Sequence, residues 1–334
     1  MGKKKYDVYG IGNALLDMEY EVTPQLLTEL GIDKGVMTLM DEQQQAQIVE
    51  KLSHLPCKRS CGGSAANTIV AIAQLEGKAG YACKVAKDEP GTFYLEDLQH
   101  NGVDIHVDLD QRETGITGKC LVLVTPDADR TMNTFLGITA DLSEAEMSFP
   151  DIQNSEYLYI EGYLASSEIA LKSAIKAKEI AQNSGVKIAF TLSDFNMVAY
   201  FKPGLEAIIG SGVDLLFANE SEAFKLAETE NLAEAITYFK TLSQTFAITR
   251  GPEGSILWDG SKLIEIEPVR VQAVDTVGAG DMYAGALLYG VTKGWDWEKA
   301  GKLAAQSSAE LVTSLGARLE TTRLRALRDG GLAA

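Results

Sequence analysis

Cysteine is scarce: the 334-residue chain has four, Cys57, Cys61, Cys83 and Cys120, and no two of them stand in a CxxC pair. A disulfide framework is therefore excluded, and a reducing cytoplasm fits best. Long apolar runs are missing as well. Nowhere do about 18 apolar residues follow one another, so no membrane-spanning helix is expected. The opening MGKKKYDVYG passes from basic residues straight into a strand pattern, without a signal-peptide core, so export is not expected either. No repeat with a period of about 20 to 50 residues and no low-complexity block occurs, which removes solenoid and linker architectures. Positive charge is in deficit, with 30 Lys+Arg against 47 Asp+Glu and a net charge of −17. Such a field repels phosphate backbones and anionic bilayers, so neither nucleic acid nor membrane is an expected partner. A small anion can still be captured locally by backbone amides.

What is present is ordinary for a globular protein: 46% hydrophobic and 23% charged residues, enough to bury one large core with a smaller appendage. From about residue 155 the pattern alternates. Strand YLYIEGY precedes a helix over Ser167 to Ser184 with Ala170, Ala174, Ala177 and Ala181 on one face, and strand VKIAFTL follows. VDLLFAN, acidic helical segments to about Leu242, and TFAITRG continue the alternation. Continuous apolar strands between helices predict an α/β fold, with a Rossmann-like three-layer parallel sheet and ligands at the carboxyl ends of its strands. In the first half, EYEVTPQLLTELGIDKGVMTLMD and a hairpin turned at Pro126-Asp127-Ala128-Asp129 read as strands outside that sheet. The expectation is one domain over residues 1–334, with a small β-sheet lid assembled from segments near 13–40 and 112–137.

The stretch AVDTVGAGDMYAGALLYGV carries the most chemistry. Gly278-Ala279-Gly280 leads into an apolar helical run that begins with Asp281. Small residues at a helix start let backbone N–H groups converge on an anion, and the helix dipole adds positive potential there. A carboxylate beside such a hole would repel a phosphate as a ligand, yet it suits a base for the hydroxyl that attacks a phosphoryl group. Taken alone, GxGD is equally compatible with a helix cap after a tight turn.

The longer string DTVGAGD resembles the second signature of the ribokinase-like (PfkB) carbohydrate and nucleoside kinase family. CGGSAANT, residues 61–68, resembles the first signature, Asn219-Glu220-Ser221-Glu222 the NxxE motif, and TRGPEG from Thr249 to Gly254 the nucleotide-binding strand and turn. The resemblance implies a ribokinase-like fold and transfer of a phosphoryl group from ATP, with Asp281 as base and the amides of Gly278, Ala279 and Gly280 stabilising the transferring group. It also implies that Asn219, Thr249, Gly251 and Gly254 serve ATP, and that Glu222 helps organise Mg²⁺ through water. Asp275, with Thr276 and the segment ending Ser314-Leu315-Gly316, resembles the family's monovalent-cation loop, which leaves K⁺ as an open addition. Arg130 falls where family members carry a lid arginine directed at the phosphates.

On the acceptor side, Asn13 and Asp17 follow the first strand, and a carboxylate can accept from both hydroxyls of a ribose diol. GNALLDMEYEV resembles the opening of adenosine kinases more than that of ribokinases or fructokinases. Gly62, Gly63, Ser64 and Asn67 of GGSAAN then belong to the acceptor site, and Tyr163 of YIEGYL is a stacking platform for the base. The expected activity is phosphorylation of the 5′-hydroxyl of a nucleoside, adenosine first, by a monomer or homodimer. Three alternatives stay open: a ribokinase- or fructokinase-like sugar kinase, a kinase of another nucleoside such as inosine or guanosine, and a nucleotide-sensing binding protein. A dinucleotide-dependent oxidoreductase is weaker, because GIGNAL holds only fragments of GxGxxG.

Overall fold

A period of two along strand Ser155–Glu161 sends Tyr157 and Tyr159 into one apolar core and Leu158 and Ile160 into another. A strand buried on both sides needs helices on both faces of its sheet. The computed structural model, which describes residues 4–35, 37–107, 112–126 and 130–330, has that arrangement. The main sheet has nine strands in the order Leu263–Ile266, Ser255–Trp258, Ser243–Thr249, Val213–Asn219, Lys187–Thr191, Ser155–Glu161, Tyr6–Ile11, Ala79–Ala82 and Asp104–Ile105. The first two join antiparallel, and the remaining pairings are parallel.

The helix expected over Ser167 to Ser184 runs Glu168–Asn183, capped by the Ser167 hydroxyl, and its four alanines are buried. With Phe195–Ile209 and Leu232–Leu242 it covers one face. Helices Ser64–Gln74, Ala279–Thr292 and Trp297–Leu311 cover the other. Two of these meet unusually closely, because small residues line the contact: a Cβ on Gly285 would lie 2.7 Å from Thr68 O and 2.8 Å from Ala71 Cβ. Interaxial distance is set by the side chains in the seam, so this seam brings the two helix starts side by side.

A second sheet of five strands has the order Met37–Leu39, Arg130–Phe135, Gly118–Val124, Leu15–Glu21 and Lys58–Gly62. It takes its strands from two separated stretches of the first half, outside the main sheet. The antiparallel pair expected after Gly115 is there, with Val124 opposite Arg130. Residues 127–129 of its turn lie outside the described residues. Between the strands of the first stretch the structure has a helix, Pro24–Leu30, where only strands were expected. Thr23 Oγ1 caps it by accepting from Leu26 N at 3.2 Å, and Pro24 stands at its start, where no N–H is needed. No helix among the described residues is long and apolar enough to cross a membrane.

Strand Ser155–Glu161 also ends earlier than the pattern YLYIEGY implied. Gly162 leaves the ladder to open a 3₁₀ turn, and its N–H is taken by Ser193 Oγ at 2.8 Å. A Cβ there would meet Thr191 O at 2.8 Å and Leu192 O at 2.7 Å, so the backbone bends where only glycine fits. Gly162→Ala is expected to lower stability by roughly 1–3 kcal/mol, the usual cost of overpacking, read as a lower urea midpoint at unchanged m-value.

Candidate active site

Three chain segments end at one place: the strand Tyr6–Ile11, the strand Ser155–Glu161 and the start of the helix Ser64–Gln74. Glu161 joins them. Its carboxylate is fully buried and accepts Asn13 N at 2.6 Å and Ala65 N at 2.7 Å. Burial pushes its pKa up to about 7, against the pull of those two amides. Gly12 has to be a glycine here, since a Cβ would lie 2.7 Å from the Glu161 carboxyl. Gly63, at φ 99°, caps the helix where a side chain would run into Asn13 O.

Asp281 lies in the first turn of the helix Ala279–Thr292 and reaches across the small-residue seam. Its Oδ1 accepts from Ser64 Oγ at 2.6 Å and its Oδ2 from Asn67 Nδ2 at 3.0 Å, while its main-chain carbonyl accepts from Thr68 Oγ1 at 3.2 Å. Burial raises this carboxyl to about pH 6. The bonds from Ser64 and Asn67, then the positive charge of Arg318, hold it down. Gly278, at φ 77°, forms the N-cap, and a Cβ on it would lie 2.8 Å from Ala317 Cβ. Gly280 differs: a Cβ there would meet nothing within 4 Å, so this glycine leaves open space at the helix start. Ala279 N reaches back to Thr276 O at 3.3 Å, whereas the amides of Gly280 and Asp281 donate to no described residue. Free amides beside open space at a helix N-terminus suit a phosphoryl group.

Asp17 stands on the strand Leu15–Glu21, opposite Ser60 and Cys120. Burial raises its pKa to about 7, although Arg318 and Arg130 pull it down. Its carboxylate accepts no hydrogen bond from a described residue, and Gly62 lets it approach so closely that a Cβ would lie 2.5 Å from Oδ2. Arg130 spans the gap between the second sheet and the glycine turn, with Nη2 2.9 Å from Glu19 and 3.0 Å from Asp275. Asp275 accepts from Val277 N at 3.1 Å and from Gly316 N at 2.8 Å, which ties the loop after Trp297–Leu311 to the start of the glycine turn.

The other sequence-derived residues line the neighbouring strand ends. Asn219 caps the helix Glu220–Ala227 in a capping box: it accepts from Glu222 N, and its own N and Nδ2 donate to Glu222 at 3.0 and 2.8 Å. The capping box alone accounts for NESE as a helix start. It does not exhaust Glu222, whose buried carboxyl is raised to about 7 and whose oxygens each keep a lone pair. Thr249 ends its strand, and the adjacent Arg250 donates to Glu220 at 2.7 Å. Gly251, at φ 53°, has open space beside it, while Gly254 is dictated by Ile266 O. Tyr163 is half-buried, packs into the core on the Leu158 side of the sheet, and is raised by burial beside Asp194, Asp281, Glu161 and Glu222.

Two charged residues at this site were missed from the sequence, Glu161 and Arg318. Glu161 had a signal, since it is a carboxylate closing an otherwise apolar strand, whereas Arg318 had none in its neighbours. Glu161 also sets a pH dependence. Its folded pKa lies above the ordinary glutamate value, so the folded state holds a proton that the unfolded chain releases, and stability present at low pH is lost as pH rises through about 7. Glu161→Gln cannot ionise. Its stability relative to the parent should therefore rise by on the order of 2 kcal/mol between pH 5 and pH 8, read from denaturant midpoints.

Residues 49–323 match the family model of the pfkB family carbohydrate kinases. Among curated proteins, the chain is 28% identical to a 5-dehydro-2-deoxygluconokinase from Clostridium beijerinckii, over 81% of this chain and 84% of that one. It is 26% identical to an adenosine kinase from Saccharomyces cerevisiae, over 92% and 94%. Among solved structures, the adenosine kinase from Sinorhizobium meliloti superposes with a TM-score of 0.88 at 33% identity, covering 98% of this chain and 99% of the other.

Proposed function

The chain belongs to the pfkB family of carbohydrate kinases, phosphotransferases that act on hydroxyl groups, and from that premise we propose that it phosphorylates the 5′-hydroxyl of a nucleoside, adenosine first, using ATP. One observation carries the chemistry: Asp281 stands beside the unpaired amides of a helix start, with both of its oxygens fixed by Ser64 and Asn67. A carboxylate held there takes the proton of the attacking hydroxyl. The turn Gly278-Ala279-Gly280 would face the charge that builds on the transferring group, with the free amide of Gly280 first among its donors. Glu222, through a free lone pair, would hold a water of a magnesium ion bound with ATP, whose charge would offset that of the phosphoryl oxygens. Thr249, Gly251 and Gly254 with Asn219 form the ATP side, and Arg130 is poised to exchange Asp275 for a phosphate. The loop where Asp275 meets Gly316 is the proposed place for K⁺.

On the acceptor side, Asp17 has acceptor capacity with no donor among the described residues, which suits a vicinal diol. Asn13, Gly62 and Gly63 shape the floor, and Tyr163 is the proposed aromatic surface beside the base. The second sheet acts as a lid, whose closure excludes water and suppresses ATP hydrolysis. The 28% identity to a kinase of a sugar acid favours a second reading, an acid acceptor. Charge argues against it. Asp17, Glu161 and Asp281 share the site, and its arginines each already hold a carboxylate, Arg318 with Asp97 and Arg130 with Glu19 and Asp275, while Arg318 Nη2 has no acceptor among the described residues. A carboxylate acceptor would meet three carboxylates and two arginines already engaged by others, with Arg318 Nη2 as the donor left to receive it. The reading carries with it a cytoplasmic enzyme of small molecules.

An ADP-release screen of nucleosides, neutral sugars and sugar acids, run with and without K⁺, is the test, with turnover expected on adenosine. Turnover on sugar acids alone would replace the nucleoside reading, and turnover on nothing would favour the sensor. Asp281→Asn should cut kcat by at least about 10³-fold while leaving acceptor binding intact. Parent kcat should fall as pH drops through about 6, because the base must be ionised. Asp17→Ala should instead raise the acceptor KM about 10-fold or more, and an unchanged KM removes the diol role.

A further inference from the structure

Arg318 lies outside every motif discussed so far, yet its guanidinium bonds Asn67 and its charge reaches both Asp17 and Asp281. Nη1 is 2.5 Å from Asp97 Oδ2 on the helix Glu89–His100, and Nε donates to Asn67 Oδ1 at 2.9 Å. Asn67 in turn donates through Nδ2 to Asp281 Oδ2. This chain of contacts has only one consistent polarity. A guanidinium can only donate, so the Asn67 atom facing it has to be the carbonyl oxygen. The amide nitrogen then has to point at Asp281. Were the amide reversed, its N–H₂ would face the arginine and its carbonyl would face a carboxylate, two repulsive contacts in a site removed from water.

We infer that Arg318, anchored by Asp97, is a positioning residue for Asp281: it locks the Asn67 amide so that Nδ2 faces the carboxylate and leaves the outer lone pair of that carboxylate aimed at the acceptor hydroxyl. The inference rests on the reading of Asp281 as the base. Arg318 does not touch the reacting atoms. It acts through Asn67, and its own placement depends on Asp97, since a long arginine side chain held at one end only would sample many rotamers.

Several charged or titratable groups face these two residues. Around Asp281 lie Ser64 and Asn67 from their helix, Tyr159 and Glu161 from the central strand, Tyr163 from the turn after it, and Glu222 from the helix Glu220–Ala227. Around Arg318 lie Asp97, Asp17, Cys61, Tyr81 and Tyr94. Among those facing Asp281, Glu161 and Glu222 carry negative charge when ionised and oppose a charged base. Arg318 is the cation that offsets them at Asp281.

The test compares Arg318→Met, Arg318→Lys and Asp97→Asn with the parent, in two measurements. The first is the pH profile of kcat with adenosine and ATP. The second is a ¹³C titration of the aspartate carboxyls, with the Asp281 signal assigned through Asp281→Asn, which needs no turnover. Arg318→Met should lower kcat about 10- to 100-fold with little change in the ATP KM, and both the acid limb and the Asp281 titration should move up by about one pH unit. Arg318→Lys, which keeps the charge but not the two-armed grip, should restore the titration more than kcat. Asp97→Asn should fall between parent and Arg318→Met, and these two milder variants carry the test if the methionine variant does not fold. Parent-like kcat and titration in Arg318→Met overturn the inference. So does a loss of kcat that is uniform in pH with the Asp281 titration unmoved, which is what lost packing alone would give. Parent-like activity in Asp281→Asn would instead sink the assignment of the base, and the titration would still decide whether Arg318 governs the carboxylate.

Discussion

The site hangs on a carboxylate that takes no part in the proposed chemistry. Glu161 is buried without a cation at hydrogen-bond distance, and its two oxygens are taken by the backbone amides of Asn13 and Ala65. Each of those amides begins a segment that leaves the main sheet, one towards Asp17 and the second sheet, the other into the helix that carries Ser64 and Asn67. A buried carboxylate is costly, and two short amide bonds offset part of that cost. The raised pKa is the remainder. The strand end, the loop after the strand Tyr6–Ile11 and the glycine-led helix are thereby held in one register, and Gly12, Gly63 and Gly162 are positions where no side chain could be accommodated around it.

On that frame the charges are paired across elements that are distant in the chain. Asp281 leans on Ser64 and Asn67 across a helix seam lined by Gly285 and Ala71, Arg318 links Asn67 to Asp97, and Arg130 links Glu19 to Asp275. Each guanidinium thus bridges two carboxyl- or amide-bearing segments. Asp17 lies in the field of both arginines and yet accepts no hydrogen bond from a described residue.

Much of this was legible in the residues. The four buried alanines of Glu168–Asn183, the apolar strands and the glycines before Asp281 mark their own structure, because each depends on contacts within a few residues or on a simple period. NESE shows the limit of such reading. Its capping box is local and readable, yet whether Glu222 also serves a metal depends on what the fold places opposite it. The helix Pro24–Leu30 was passed over although Thr23-Pro24 is a good helix start, since it lies between short strands in a segment read as extended. Tyr163 was read from its motif as a surface for a base, and the fold half-buries it against the core on the Leu158 side of the sheet.

The sequence by itself determined the α/β alternation, the scarcity of cation and disulfide chemistry, and the identity of Asp281, Asp17, Asn13, Ser64 and Asn67 as candidates, because these follow from local pattern and motif. Only the tertiary structure decided that Ser64 and Asn67 bind Asp281, that Glu161 holds three segment ends together, and that Arg318 reaches Asn67 from 251 positions away. Those contacts join residues at least 96 positions apart, and nothing in the spacing of one segment encodes the distance at which another will pack. Burial then turns the resulting neighbourhood into shifted ionisation, which no single segment could have announced.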